Sequence, residues 1–294
     1  MTGDDLLRPR RSVLYMPAAN ERALDKARDI DADALIFDLE DAVAPEAKPE
    51  ARTKACDALA AGGYGRREIV IRVNGIGTQW HDDDMAAVAK AGPDAVLVPK
   101  VNSVAEVVAL EAALVQHGAP VRTSLWAMLE SPVALLHAEE ICAASTRLRV
   151  LVMGTNDLIK ELRAQRVADR QPLLAGLSLS VLAARAAGKV ILDGVYNDIK
   201  DDEGFRAECR QGRALGFDGK TLIHPSQVPG CNEAFAPSSD EVDLARRTIE
   251  AFESATSEGK GVVTVDGRMI ENLHVEESRR ILAIQGAIEA QSSG

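Results

Sequence analysis

Short apolar, β-branched runs alternate with amphipathic helical patterns along most of the 294 residues, and this alternation is the strongest constraint on the fold. The runs fall at Ser12–Met16, Ala34–Leu39, Glu68–Val73, Ala95–Val98, Leu125–Leu129, Arg149–Met153, Val190–Asp193 and Gly219–Ile223. Most are continuously apolar (LIFDL, VLVP, VLVM), as strands covered on both faces are. Helical patterns lie between them at Glu21–Ile30, Pro49–Ala60, Asp82–Lys90, Val104–Gln116, Pro132–Ala143, Pro172–Ala187 and Gly204–Leu215. Successive strand starts are about 30 residues apart, the length of a βα unit, with one longer gap after the sixth. Eight such units predict a (β/α)8 TIM barrel over residues 1–232. A doubly wound sheet would call for a phosphate loop such as GxGxxG after the first strand, and that position reads YMPAANER.

Residues 233–294 are surplus to a barrel. A helix over Asp240–Glu253, a Gly-punctuated hairpin in GKGVVTVDGRMIEN and a last helix over Val275–Ala290 are expected there. This C-terminal helix–hairpin–helix extension either caps its own barrel or reaches over a neighbouring subunit.

Composition narrows the function. A net charge of −11 argues against a nucleic-acid partner, which is held by Lys and Arg. Aromatic residues are only 3% of the chain, too few for a base-stacking platform. No apolar run approaches the roughly 18–20 residues of a membrane span. The opening MTGDDLLRPRR does not read as a secretory signal. Cys56, Cys142, Cys209 and Cys231 lie far apart with no zinc-like spacing, and are expected as reduced, mostly buried thiols of a cytoplasmic protein. An enzyme or an acidic scaffold remains.

Barrels of this kind carry their reactive groups where strands end and βα loops begin. The first strand delivers Tyr15 there, the second Asp38, Glu40 and Asp41, the third Arg72 and Asn74, and the fourth Lys100. The fifth gives Glu130, the sixth Asn156 and Asp157, the seventh Asp193, Tyr196 and Asp198, and the eighth His224. Carboxylates converging at one mouth repel each other without a cation, and hard oxygen donors with no His cluster imply Mg²⁺ or Mn²⁺. Glu130 and Asp157 directly follow apolar strands and are the first candidates as ligands. Arg72, beside the Gly-rich VNGIG, suits bidentate recognition of a carboxylate or carbonyl, or a salt bridge to a neighbouring acid. Metal plus arginine suits an enolate. A Schiff-base aldolase would need a desolvated lysine, and of the candidates Lys100 lies toward the rim while Lys220 begins its strand. Arg22 and Lys26 project from one helix face, able to hold phosphates or to pair with Asp25 or Asp29.

Taken together, RSVLYMPAANERALDKA, ALIFDLEDAVAPEAKPEAR, RVNGIGT, VLVPKV, AMLESPVALLHAEEI, VLVMGTNDL, AGKVILDGVYNDIKDDEGFRAE and ALGFDGKTLIHPSQ resemble the citrate lyase β-subunit-like branch of the HpcH/HpaI aldolases. That branch includes malyl-CoA lyases and (3S)-malyl-CoA thioesterases. The resemblance runs from about Arg11 to Ala290. It implies a barrel whose C-terminal extension crosses to a neighbouring subunit of a homo-oligomer, a trimer or hexamer. By the same resemblance Glu130 and Asp157 match the Mg²⁺ ligands, and Arg72 the residue that holds the 2-oxo acid or acyl carboxylate. Tyr15, Arg22 and Lys26 fall where relatives contact coenzyme A. Glu271 stands where many relatives have an aspartate that serves as acid/base, and its extra methylene adds about 1.5 Å of reach.

The activity implied first is a Mg²⁺-dependent lyase that cleaves or forms (3S)-malyl-CoA or β-methylmalyl-CoA, with glyoxylate and acetyl-CoA or propionyl-CoA as partners. A (3S)-malyl-CoA thioesterase, a hydrolase releasing malate and CoA, is the alternative. A third reading is the β-chain of a citrate lyase acting on a carrier-bound citryl thioester.

Overall fold

The computed structural model describes residues 7–257 and 263–292. The leading residues 1–6 and the start of the Gly-punctuated segment, 259–262, lie outside the described residues. The chain divides into two compact units, Arg10–Phe235 and a second made of the residues from Ala236 onward with residues 7–9.

The first unit is a closed eight-stranded parallel barrel. Its strands are β1 (Ser12–Pro17), β2 (Ala34–Asp38), β3 (Glu68–Arg72), β4 (Ala95–Val98), β5 (Ser124–Leu129), β6 (Leu148–Met153), β7 (Val190–Asp193) and β8 (Gly219–Leu222). They pair in chain order, and β8 closes on β1 with Thr221 opposite Val13. The helical layer comprises α1 (Glu21–Lys26), α2 (Lys48–Ala61), α3 (His81–Ala91), α4 (Val104–Gln116), α5 (Pro132–Leu136), α6 (Ala138–Ala143), α7 (Thr155–Glu161), α8 (Leu174–Ala186), α9 (Asp202–Leu215) and α10 (Val228–Phe235). The (β/α)8 TIM barrel expected from periodicity is therefore the fold.

Local chemistry sets the helix limits. Ser103 and Glu106 form a reciprocal capping box at the start of α4, and Ser131 caps α5 ahead of Pro132. The segment expected as one helix over Pro132–Ala143 is two, because His137 leaves the helical region (φ −109°, ψ 15°). The first helix stops at Lys26 and continues as a 3₁₀ turn to Asp29 rather than reaching Ile30. The short helices α7 and α10 escaped the sequence reading because two turns are too few for a period to register.

Strand alternation sorts the barrel into two apolar layers. Val13, Ile36, Val70, Leu97, Trp126, Val152 and Leu192 belong to one cluster, inside the barrel. Leu14, Phe37, Ile71, Val98, Leu151 and Ile191 belong to a separate one, between the barrel and its helices. On β3 the inward set is Glu68, Val70 and Arg72, polar at both ends and apolar in the middle. Glu68 closes the floor: Arg10 Nε and Nη2 donate to its two oxygens at 2.5 and 2.9 Å, both side chains being buried. The Arg10 guanidinium also lies 5.7 Å from the centroid of the Trp126 ring.

In the second unit α11 (Ser239–Ser257) and α12 (Asn272–Ser292) flank the antiparallel pair β9 (Val263–Val265) and β10 (Arg268–Ile270). The strands are joined at Asp266-Gly267, both at positive φ (48° and 77°), which is the backbone a two-residue hairpin requires. Val265, Ile270 and Val275 form its small buried cluster. No helix among the described residues is long and apolar enough to cross a membrane. All four cysteines are free thiols, with Cys142, Cys209 and Cys231 buried and Cys56 half-buried.

Breaking the floor pair tests its weight. Glu68→Ala removes the bidentate carboxylate of a buried guanidinium and is expected to cost about 3–5 kcal/mol, read as a lower urea midpoint at unchanged slope. A loss below about 1 kcal/mol would mean that water or neighbouring groups replace the carboxylate.

Candidate active site

At the C-terminal end of the strands, every second residue turns into the mouth. Tyr15 on β1, Asp38 on β2, Arg72 on β3, Met128 and Glu130 at the end of β5, and Gly154 after β6 continue the inward rows of the interior cluster. They line a cavity of about 440 Å³ with Asn156, Asp157, Asn197 and Thr221. That volume suits a small acid together with the adjoining end of a longer ligand.

Arg72 organises one wall. Its Nε and Nη2 donate to the two oxygens of Asp38, both at 2.6 Å, and its Nη1 lies 2.8 Å from Glu40 Oε2. The guanidinium lies 4.7 Å from the Tyr15 ring centroid, a cation–π contact. Asp38 is itself fixed, accepting the backbone N–H groups of Glu40 and Ala42 at 2.9 and 3.0 Å. The bidentate edge expected to face a ligand is thus taken by Asp38, because a buried guanidinium must have a carboxylate partner. Burial works against the Arg72 charge, and Asp38, Tyr15 and Glu40 outweigh it, holding the group charged beyond the ordinary arginine range.

Glu130 forms the facing wall. Its Oε1 accepts the backbone N–H of Lys100 at 2.6 Å. Its carboxyl is packed so closely on Gly154 that a Cβ there would overlap the Cβ and Oε2 of Glu130. Burial pushes its pKa up to about 7, and the negative charges of Glu40 and Asp157 add to that shift. Glu40 is raised to about 7 by burial, assisted by Asp41 and Asp38 and opposed by Arg72. A group of carboxylates that raise one another is the electrostatic mark of a site that would accept a cation. Among the described residues no three His, Cys, Asp or Glu side chains are grouped to hold a metal by themselves.

The structure brings Tyr15, Arg72, Glu130 and Asp157 to one cavity. It does not bring Arg22 or Lys26 into the lining; both are exposed on α1, four residues apart, and neither pairs with a carboxylate among the described residues, since Asp25 pairs with Arg28 instead. Glu271 belongs to the second unit, is exposed, and donates its backbone N–H to His274 Nδ1 at 3.0 Å.

Asp193 turns outward under α9, where Arg170 and the fully buried Lys220 hold it at 2.8 and 3.1 Å. That ion-paired setting, on the far side of the barrel wall, also removes Lys220 from Schiff-base chemistry. Tyr196 is engaged with Asp201 at 2.5 Å, and His224 caps the turn at Ser226. Asp38, Glu40 and Gly154 were passed over or left undecided in the sequence. The signal for Asp38 was present: it shares the inward row of Ala34 and Ile36 and sits opposite Arg72 on the next strand.

Gly154→Ala is expected to displace the Glu130 carboxyl by about an ångström and lower kcat/KM roughly a hundredfold. The far-ultraviolet circular dichroism should be unchanged, because the substitution touches a single side chain. Full activity in this variant would show that the placement of Glu130 is unimportant.

Residues 11–225 match the model of the HpcH/HpaI aldolase/citrate lyase family. A (3S)-malyl-CoA thioesterase of Cereibacter sphaeroides is 52% identical over 282 residues, 96% of each chain. The citrate lyase subunit beta of Escherichia coli is 37% identical over 281 residues, covering 94% of this chain and 93% of that one. Among solved structures, CitE of Mycobacterium tuberculosis in complex with magnesium, acetoacetate and coenzyme A superimposes with a TM-score of 0.77 at 31% identity, covering 94% of this chain and 97% of that chain.

Proposed function

Given that the chain belongs to the HpcH/HpaI aldolase/citrate lyase family, an enzyme family, we propose that it is a Mg²⁺-dependent thioesterase that hydrolyses (3S)-malyl-CoA to malate and coenzyme A. The observation that carries this reading is the end-to-end likeness, 52% over 96% of both chains, to a protein named for that activity. Resemblance at the level of motifs put carbon–carbon cleavage first and hydrolysis second, and the relatives reverse that order.

Mg²⁺ is commonly bound by one or two carboxylates and completes its shell with water and substrate oxygens. Glu130 and Asp157 offer two carboxylates on one cavity, and the burial that raises Glu130, with the nearby charges of Glu40 and Asp157 adding to it, fits a place for a cation. These two residues would hold the ion. When bound, it supplies Lewis-acid polarisation of a substrate oxygen.

Hydrolysis adds a water oxygen to the thioester carbonyl carbon and breaks the carbon–sulfur bond, and the proton lost by water ends on the thiol. Arg72, held charged by Asp38, presents Nη1 to the carboxylate of the malyl group in exchange for Glu40. Tyr15, stacked on that guanidinium, restricts where the acyl chain lies. Arg22 and Lys26 are exposed cations suited to the phosphates of coenzyme A. Glu271, supplied by a neighbouring subunit as the resemblance implies, moves the proton.

Cleavage of (3S)-malyl-CoA or its β-methyl homologue to glyoxylate and an acyl-CoA is the second reading, favoured by the likeness to citrate lyase subunit beta. Purified protein with Mg²⁺ and (3S)-malyl-CoA separates the two: glyoxylate is trapped as a hydrazone while free thiol is quantified. Thiol and malate in equal amounts, with no glyoxylate, are expected. Glyoxylate without thiol would replace hydrolysis by the lyase. Asp157→Ala should lower the rate by about a hundredfold or more and remove its sensitivity to chelators. Full chelator-resistant activity in that variant would overturn the metal assignment.

A further inference from the structure

We propose that Lys100 is the built-in counter-cation of the acid cluster, a positioning residue that ties Glu130 and Glu40 together and yields their charge to an incoming divalent ion. The inference rests on the reading of Glu130 and Asp157 as ligands, and it concerns a residue to which neither the comparisons nor the sequence motifs assign a role.

Three observations converge on it. Lys100 has φ +55°, a left-handed conformation disfavoured for any residue with a Cβ. That conformation aims its backbone N–H at Glu130 Oε1, 2.6 Å away, so Oε2 is left as the oxygen free to meet a cation. The twist is held from outside, because Asn102 Nδ2 donates to the Lys100 carbonyl at 2.8 Å while the Asn102 amide oxygen accepts the Ser131 hydroxyl.

The side chain completes the arrangement. Its Nζ lies 3.8 Å from Glu40 Oε1, on the carboxylate whose other oxygen meets Arg72. Arg72 is committed to Asp38, and the Lys48 ammonium donates to the carbonyls of Leu39 and Glu40 at 2.9 and 2.8 Å. The Lys100 ammonium makes no hydrogen bond among the described residues, and its side chain is 52% exposed. It is a charge held 3.8 Å from a carboxylate without a hydrogen bond to fix it, and so is free to move away. A backbone position that would suit glycine thus carries a cationic side chain at the mouth.

The test is calorimetric titration of Mg²⁺ into chelator-treated full-length protein, Lys100→Met and Lys100→Gly. Methionine removes the ammonium and keeps the length of the side chain. Glycine removes it and relieves the strained backbone. Both variants are expected to bind Mg²⁺ more tightly, by roughly three- to tenfold, since a like charge near the site is gone. Unchanged or weaker binding in both would overturn the proposal, as would tighter binding in the glycine variant alone, which would point to the backbone. If none of the three proteins takes up Mg²⁺, it is the metal reading that has failed. A Lys100→Met and Glu40→Gln double-mutant cycle on urea stability without divalent ions then decides the counter-cation role: coupling beyond error supports it, and strict additivity overturns it.

Discussion

A barrel strand can show only every second residue to the interior, and the candidate site is assembled under that constraint. The inward row of β3 reads Glu68, Val70, Arg72. One strand thereby contributes an ion pair to the floor, an apolar residue to the packed middle and a guanidinium to the mouth. The same row on β2 ends in Asp38, and the parallel register sets Asp38 opposite Arg72. Without that register the guanidinium would lose its bidentate partner and keep only the contact of Nη1 with Glu40.

The apolar middle of the barrel separates two electrostatic problems. Below it, Arg10 and Glu68 form a buried bidentate ion pair. Above it, burial raises Glu40 and Glu130, and the neighbouring acids add to the shift. Arg72 is matched by Asp38, Lys100 stands 3.8 Å from Glu40, and Asp157 shares the cavity with Glu130. A mouth of this kind favours an anionic ligand only when a cation accompanies it, since the local charges rather than the net charge of −11 set the field there.

Much of this was legible in the amino-acid order. The eight apolar runs predicted the barrel because strands covered on both faces need unbroken hydrophobic stretches. Tyr15, Arg72, Glu130 and Asp157, which line one cavity, could be picked out as candidates because they follow strand ends. The grip of Asp38 on Arg72 was less visible, since a lone strand-end acid reads equally well as a helix cap or a solvated loop residue. Gly154 was passed over because a glycine before Thr-Asn-Asp reads as an ordinary turn, while its importance lies in the Glu130 carboxyl packed against it. His137 broke a helix that its flanking periodicity had joined, and α7 was too short to show a period.

Sequence alone determined the fold class, the strand ends that meet at one cavity, and the family. These follow from local periodicity and residue type, which neighbouring residues express without knowledge of the rest of the chain. Tertiary structure decided which acid holds the arginine, which lysine is sealed behind the barrel wall and which remains at the mouth, and which glycine must stay a glycine. Each of those depends on the closure of β8 against β1 and the register between strands, which bring residues from distant parts of the chain to within hydrogen-bonding distance.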